Sequence, residues 1–194
     1  MGLANVGWPH TAVQTLGDDL VVQAIVGVDM KVIFVGYNPG RASERSGHHF
    51  AGPGNYFWAL LYDSGLTAQR LTADQDGLLP YWGIGITNVV SRMTLGSSDL
   101  TLDEMRRGGE ALHRKLLEFH PKVSGFLGKD IYRAYRGLPP SCQVSWGLQD
   151  LVTVPGTWDV VLPNPSRRST LPYAHRLRYF RELAGLLQYG LGEL

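Results

Sequence analysis

Two kinds of segment alternate along the chain. One kind is short and mainly apolar. Residues 31–36, Lys-Val-Ile-Phe-Val-Gly, form a β-branched run closed by glycine, and residues 83–90, Gly-Ile-Gly-Ile-Thr-Asn-Val-Val, form another. Continuous runs of this length read as strands buried on both faces, as in a parallel sheet. Residues 122–128 make a third, and 144–146, 151–154 and 160–162 are shorter candidates. The other kind repeats at helical spacing. From Asn55, the residues Phe57, Trp58, Leu60 and Leu61 recur until Ser64-Gly65 closes the helix. Thr101-Leu-Asp-Glu predicts a capped helix running to about residue 118, with Thr101 as N-cap and Glu104 three residues on. A further helix is expected over 130–136. Residues 170–189 are amphipathic, with Leu177, Phe180, Leu183 and Leu187 on one face. Residues 37–54, 74–82 and 91–100 read as loops, and residues 1–30 as a less regular segment leading into the first strand.

Strands alternating with helices predict an α/β fold with a mainly parallel sheet and helices on both faces. In such sheets, sites lie at the carboxyl ends of strands. Three loops leave those ends: 36–54, 88–100 and 163–172.

Composition narrows the class. The chain has 194 residues, 44% hydrophobic and 18% charged, which suits one globular domain over 1–194 and excludes a disordered chain. The single cysteine, Cys142, excludes a disulfide framework, a four-cysteine zinc site and a cysteine-bound iron–sulfur cluster, and fits a reducing compartment. No apolar run approaches the roughly 20 residues of a membrane span, and the N-terminus shows no basic n-region of a secretory signal. Net charge is +1, and 14 of the 18 basic residues are arginine. A GC-rich genome would give the same bias. More telling is the stretch 167–181, with five arginines, one histidine and no acid. It suits a phosphate-facing surface.

Each loop carries candidate chemistry beside an ordinary structural reading. The first begins Gly36-Tyr37-Asn38-Pro39-Gly40 and continues through His48, His49 and Phe50 to Asn55. It is neither a Walker A sequence nor a dinucleotide glycine motif. Asn38 is an amide pinned just beyond a strand end, able to hold a water or an amide-like edge, or simply a turn residue. The two histidines are adjacent and have no cysteine or carboxylate at ligand spacing, so no metal is expected. The second loop follows Asn88 and contains Asp99, two residues before the helix cap, where a carboxylate also stabilises a helix start. The third, Pro163-Asn-Pro-Ser-Arg-Arg-Ser169, combines rigid prolines, small hydroxyls and Arg167-Arg168; it also reads as a solvated turn.

Taken together the loops resemble a known family. Gly36-x-Asn-Pro-Gly, then Pro53-x-Asn-x-Phe-Trp58, resembles the motif of the mismatch-specific uracil/thymine-DNA glycosylases within the uracil-DNA glycosylase superfamily. So do Gly85-Ile-Thr-Asn-Val-Val-x-Arg-x-Thr-x-Gly-Ser-x-Asp-Leu, Arg107-Gly-Gly, Phe126-Leu-Gly-Lys129 and Leu162-Pro-Asn-Pro-Ser166, in the family's order over about residues 30–185.

The resemblance implies a three-layer αβα sandwich around a short, mainly parallel sheet. It implies an enzyme of base excision repair that needs no cofactor. Such an enzyme flips uracil out of DNA and hydrolyses its N-glycosidic bond, leaving an abasic site. The expected substrate is a G:U mismatch, with thymine or ethenocytosine as further candidates. The expected partner is double-stranded DNA, with no membrane, acting as a monomer in the cytoplasm or at most on a bacterial nucleoid. Asn38 takes the catalytic, water-orienting position, where the classical uracil glycosylases have aspartate, and Asp99 is the candidate supplementary carboxylate. Phe50 matches the aromatic that stacks on the flipped base. Tyr37 and His49 line its pocket, Asn88 reads its edge, and Asn55 supports the loop. The wedge and DNA contacts fall on Ser166, Arg167, Arg168 and Ser169. Arg167-Arg168 replaces the Gly-Leu of the bacterial mismatch-specific type, an arginine wedge that implies looser reading of the opposite base. A glycosidase acting on free nucleosides, or a module that flips bases without cutting, remain as alternatives.

Overall fold

The computed structural model describes residues 23–28, 30–92 and 99–190. The expectations for residues 1–22, for Asp29 and for the polar stretch 93–98 fall outside the described residues. The apolar run at 32–36 forms the central strand β1 (Val32–Gly36), buried along its whole length. It pairs in parallel with β2 (Ile84–Asn88) on one side and β3 (Val123–Phe126) on the other. β5 (Trp158–Val161) continues the parallel sheet, and β4 (Gly147–Leu148) adds an antiparallel edge, giving the order β2-β1-β3-β5-β4.

Alternation along β1 assigns the two faces of the sheet. Phe34 stands edge-on to Phe57 of helix α2 (Phe57–Asp63) and stacks at 5.8 Å on Phe180 of helix α5 (Tyr173–Tyr189). On the opposite face Phe126 packs against Tyr132 and Tyr135 of helix α4 (Lys129–Arg136), and Lys115 of helix α3 (Leu102–Phe119) donates to Thr87 Oγ1 at 2.9 Å. Helices therefore cover both faces in an α/β, three-layer arrangement. The glycine pair in α3 has a packing reason. A Cβ on Gly108 would stand 2.3 Å from the Val89 carbonyl oxygen, and one on Gly109 would stand 3.1 Å from that of Ala134. Both close approaches press α3 onto the sheet end and onto α4.

The capping pattern behaves as its chemistry requires. Thr101 Oγ1 accepts from Glu104 N at 3.2 Å, and Glu104 Oε2 accepts from Thr101 N at 2.9 Å. Four expectations need correction. Residues 41–46, expected as loop, form helix α1 (Arg41–Ser46), closed by Gly47 in the left-handed region. Residues 74–82, also expected as loop, lie within a 3-10 helix (Ala73–Trp82), which opens with a Thr72–Gln75 capping box and carries Pro80 inside it. Residues 144–146 and 151–154 are not strands. The edge strand falls at Gly147–Leu148 instead, and only Val154 makes an isolated bridge, to Thr157. The last helix begins at Tyr173 rather than 170, because Pro172 occupies its N-cap.

Candidate active site

Four parallel strands point their carboxyl ends the same way, and a cleft of about 1210 Å³ opens there. Its floor is the end of the sheet. Gly36 and Asn88 are register partners closing β1 and β2. A Cβ on Gly36 would stand 2.4 Å from Asn88 Oδ1 and 3.8 Å from the tip of the Phe50 ring. Only glycine lets the Asn88 amide and the Phe50 ring meet over the strand end. Among the described residues no hydrogen bond holds the Asn88 side chain, which lines the cleft.

Phe50 is fixed from below. Its ring lies 4.1 Å from that of Phe57, which meets Phe34, so an aromatic series runs from the cleft into the core. Its backbone sits at φ 51, a left-handed conformation that phenylalanine rarely adopts and that neighbouring bonds must hold. Asp76 supplies them. Its carboxylate accepts from His49 N at 2.9 Å and from His48 Nδ1 at 3.1 Å. His49 is buried beside Phe50, and its Nε2 donates to the Gln23 carbonyl at 2.8 Å. Burial pushes the His49 pKa below its ordinary value, and the bond to the Gln23 carbonyl requires a proton on Nε2. Both histidines thus serve the loop, and no group of three metal-ligating side chains occurs among the described residues.

Asn38 stands at the cleft wall with its amide oriented by the second loop. Its Nδ2 donates to the Arg92 carbonyl at 3.2 Å. Arg92 in turn grips Glu104 through both carboxylate oxygens and donates from Nη2 to the Asp99 carbonyl at 3.1 Å. The Arg92 guanidinium, with the capping bonds from Thr101, holds the Glu104 carboxyl down to about 2. Asn38 and Asp99 are therefore linked through one arginine. Asp99 is exposed and is not among the residues lining the cleft. Tyr37 does line it, and burial, with Asp130 nearby, raises its phenol above the ordinary value.

The third loop closes the opposite side. Asn164 Oδ1 accepts from Ser166 N at 2.8 Å, an Asx turn that bends the chain after β5. Ser166, Arg167, Arg168 and Ser169 all line the cleft. The first and third loops are joined, because Tyr56 N donates to the Pro165 carbonyl at 2.9 Å, and Asn55 supports the first loop by accepting at Oδ1 from Phe57 N at 3.0 Å. Arg41, Lys129, Arg133, Arg167 and Arg168 face the cleft against one carboxylate, Asp130. A mouth of this sign draws phosphates. A model of the uracil DNA glycosylase superfamily matches residues 25–188.

The chain belongs to the uracil DNA glycosylase superfamily.

It is a DNA glycosylase, a hydrolase of base excision repair, and its partner is DNA. Some residues of the glycosylase cleft escape sequence reasoning. Asp76 lies in the 3-10 helix that reads as loop, and its nearest signal is the Thr72-x-x-Gln75 capping pattern. Asp130, just past the Phe126-Leu-Gly-Lys129 motif at the end of β3, and Trp146, just before β4, line the cleft without a signal in the sequence. Arg176, in the midst of an amphipathic helix, looks like a surface residue in sequence and is buried.

Proposed function

We propose that this glycosylase removes uracil from double-stranded DNA, acting on G:U mismatches, and that thymine and ethenocytosine are further candidate bases. The observation that carries the reading is the Asn88 amide set against Phe50 over Gly36. A uracil flipped into the cleft presents a flat face, two carbonyl oxygens and an imide N–H. Phe50 would stack on the face. Asn88 would accept from the imide N–H through Oδ1 and donate through Nδ2 to a carbonyl, a two-bond pairing with the uracil edge.

Asn38 would place the attacking water, with its Nδ2 turned to Arg92 and its oxygen accepting from the water. An amide cannot take the water's proton, so its contribution is position. The bond from the sugar carbon to the base nitrogen breaks first, the base departing with the electron pair. The water oxygen then bonds to the cationic sugar, and its released proton ends on the base or in solvent. Asp99, exposed and outside the cleft lining, would add negative charge to this step from the loop that Arg92 ties to Asn38. Arg168 would enter the stack behind the flipped base while Arg167 contacts phosphate. The planar guanidinium suits both tasks, since it can stack and donate at once. The chain would act as a monomer.

Abasic-site formation on a duplex with a single uracil opposite guanine tests the reading. Free deoxyuridine and the same duplex with thymine or ethenocytosine serve as comparisons. Cutting of the G:U duplex without release of base from deoxyuridine is the expected result. Binding without cutting would instead make the chain a damage-binding module, and cleavage of deoxyuridine would make it a nucleoside glycosidase. Asp99→Ala should lower the single-turnover rate; a full rate with a lower melting temperature would make Asp99 a helix-start residue only.

A further inference from the structure

Arg176 of α5 is 2% exposed, yet no carboxylate pairs with it among the described residues. A charge out of water is costly unless its donors are satisfied. Here they are satisfied by backbone carbonyls of one loop. Nη1 donates to Ser166 O at 3.0 Å, Nη2 to Ser169 O at 2.8 Å and Leu171 O at 2.7 Å, and Nε to Leu171 O at 3.0 Å. The guanidinium lies 5.0 Å from the centre of the Tyr56 ring, on the segment bonded to Pro165. The loop itself has no strand ladder or helix. Its own bonds are short-range, Ser169 N to Ser166 O at 3.1 Å and Arg168 N to Ser166 Oγ at 3.2 Å. Three carbonyls turn inward to one guanidinium while Arg167 and Arg168 stand exposed.

We propose that Arg176 is a positioning residue that presets the 166–171 loop for entry into duplex DNA, and so favours duplex over single-stranded substrate. The proposal rests on the assignment of that loop as the wedge. A loop already ordered before binding loses less freedom on docking. Only a duplex, with a stack to fill, gains from that order. A fixed fork is required, because a lysine has one nitrogen and cannot span three carbonyls with four directed bonds.

The test uses Arg176→Lys, which keeps the charge, and Tyr56→Leu, which removes only the ring beneath the guanidinium. The probe is DNA carrying a non-cleavable tetrahydrofuran abasic analogue, as a duplex opposite guanine and as the single strand. Trypsin nicking after Arg167 or Arg168 reports the order of the loop. Arg176→Lys should nick faster, and its duplex affinity should fall roughly tenfold while single-strand affinity stays within about twofold, as loss of preorganisation requires. Tyr56→Leu should shift both in the same direction by less, and it carries the test alone if Arg176→Lys does not fold. Equal losses on both DNAs, or faster nicking with unchanged duplex affinity, would overturn the proposal. Arg168→Ala separates it from the wedge assignment. If Arg168→Ala leaves duplex affinity unchanged while Arg176→Lys lowers it, Arg168 is not the residue that enters the stack, and Arg176 still presets the loop for duplex DNA.

Discussion

The floor of the cleft and its arginine loop are held by opposite means. The floor is the hydrophobic core carried to the surface: Phe50 rests on Phe57, Phe57 on Phe34, and Phe34 on Phe180. Asn88 and Gly36 are the last pair of a strand ladder. The arginine loop has neither core nor ladder; one buried guanidinium holds its carbonyls at Ser166, Ser169 and Leu171, and Tyr56 N ties Pro165 at its base. A floor built this way can keep an aromatic ring and an amide in fixed relation, as recognition of one base demands. A loop held at three carbonyls keeps its outer side chains exposed, as contact with a duplex demands. Changes to the floor should alter what happens to the base, and changes to the loop should alter which DNA is engaged.

The largest effect is expected at the floor's chemistry. Asn38→Ala should lower the single-turnover rate by roughly 10²-fold, the scale of a lost positioning group, with little change in binding to uncut DNA. Next is Phe50→Ala. Loss of stacking should weaken lesion DNA by about 1–3 kcal/mol and leave undamaged DNA unaffected. Competition binding with both DNAs decides it, and equal losses would make Phe50 only a core residue. Gly36→Ala sharpens the comparison further. The new methyl group meets the end of a side chain, Asn88 Oδ1, rather than backbone. The amide can swing aside at small cost, so affinity for uracil-containing DNA should fall about tenfold while melting shifts by only a few degrees. A large melting loss would show that the floor cannot be altered separately from the core.

The smallest effect falls in neither region. Asp159 is buried on β5, accepts from Thr153 Oγ1 at 2.8 Å, and among the described residues its other oxygen has no partner. Burial raises its carboxyl from 3.8 to about 6. The folded state holds the proton more tightly, so this group favours folding below about pH 3.8, and that contribution is lost as pH rises through about 6. Asp159→Asn should remove this slope and stabilise the protein at pH 7 by about 1 kcal/mol, less than the full cost of ionisation because the new NH2 also lacks an acceptor. Denaturant melts across pH 4–8 measure it, and uracil release at pH 7 should not change.

What could be read from sequence follows the range of the interactions. Thr101 and Glu104 form a contact within one turn, and their pattern predicts the cap they make. The strands at 32–36 and 84–88 stand out because burial on both faces leaves few polar positions, Thr87 and Asn88 at the end of the second being the exceptions. Helix α1 is hidden because its six residues, Arg-Ala-Ser-Glu-Arg-Ser, have no apolar face to repeat. The 3-10 helix is hidden because Pro80 and Gly77 argue against a regular helix. The apolar residues at 151–154 suggest a strand, yet Leu151 and Val152 are exposed and join no ladder. At the site, a mainly parallel sheet puts three loops at one end, and the resemblance to the family picks Tyr37, Asn38, Phe50, Asn88 and Arg168 out of them. Asp76 and Arg176 could not be found this way, because each acts on backbone atoms, Asp76 on His49 N far along the chain and Arg176 on carbonyls of the loop just before it, and backbone atoms leave no mark in a sequence.

The division of labour between floor and loop is tested most directly by one ratio: the single-turnover rate of uracil release from a G:U duplex divided by that from the same strand alone. It is to be measured for the unaltered chain, Asn38→Ala and Arg168→Ala. Asn38→Ala should slow both substrates alike and leave the ratio unchanged, whereas Arg168→Ala should lower the duplex rate alone and reduce the ratio. An unchanged ratio in Arg168→Ala, or a changed one in Asn38→Ala, would contradict the account.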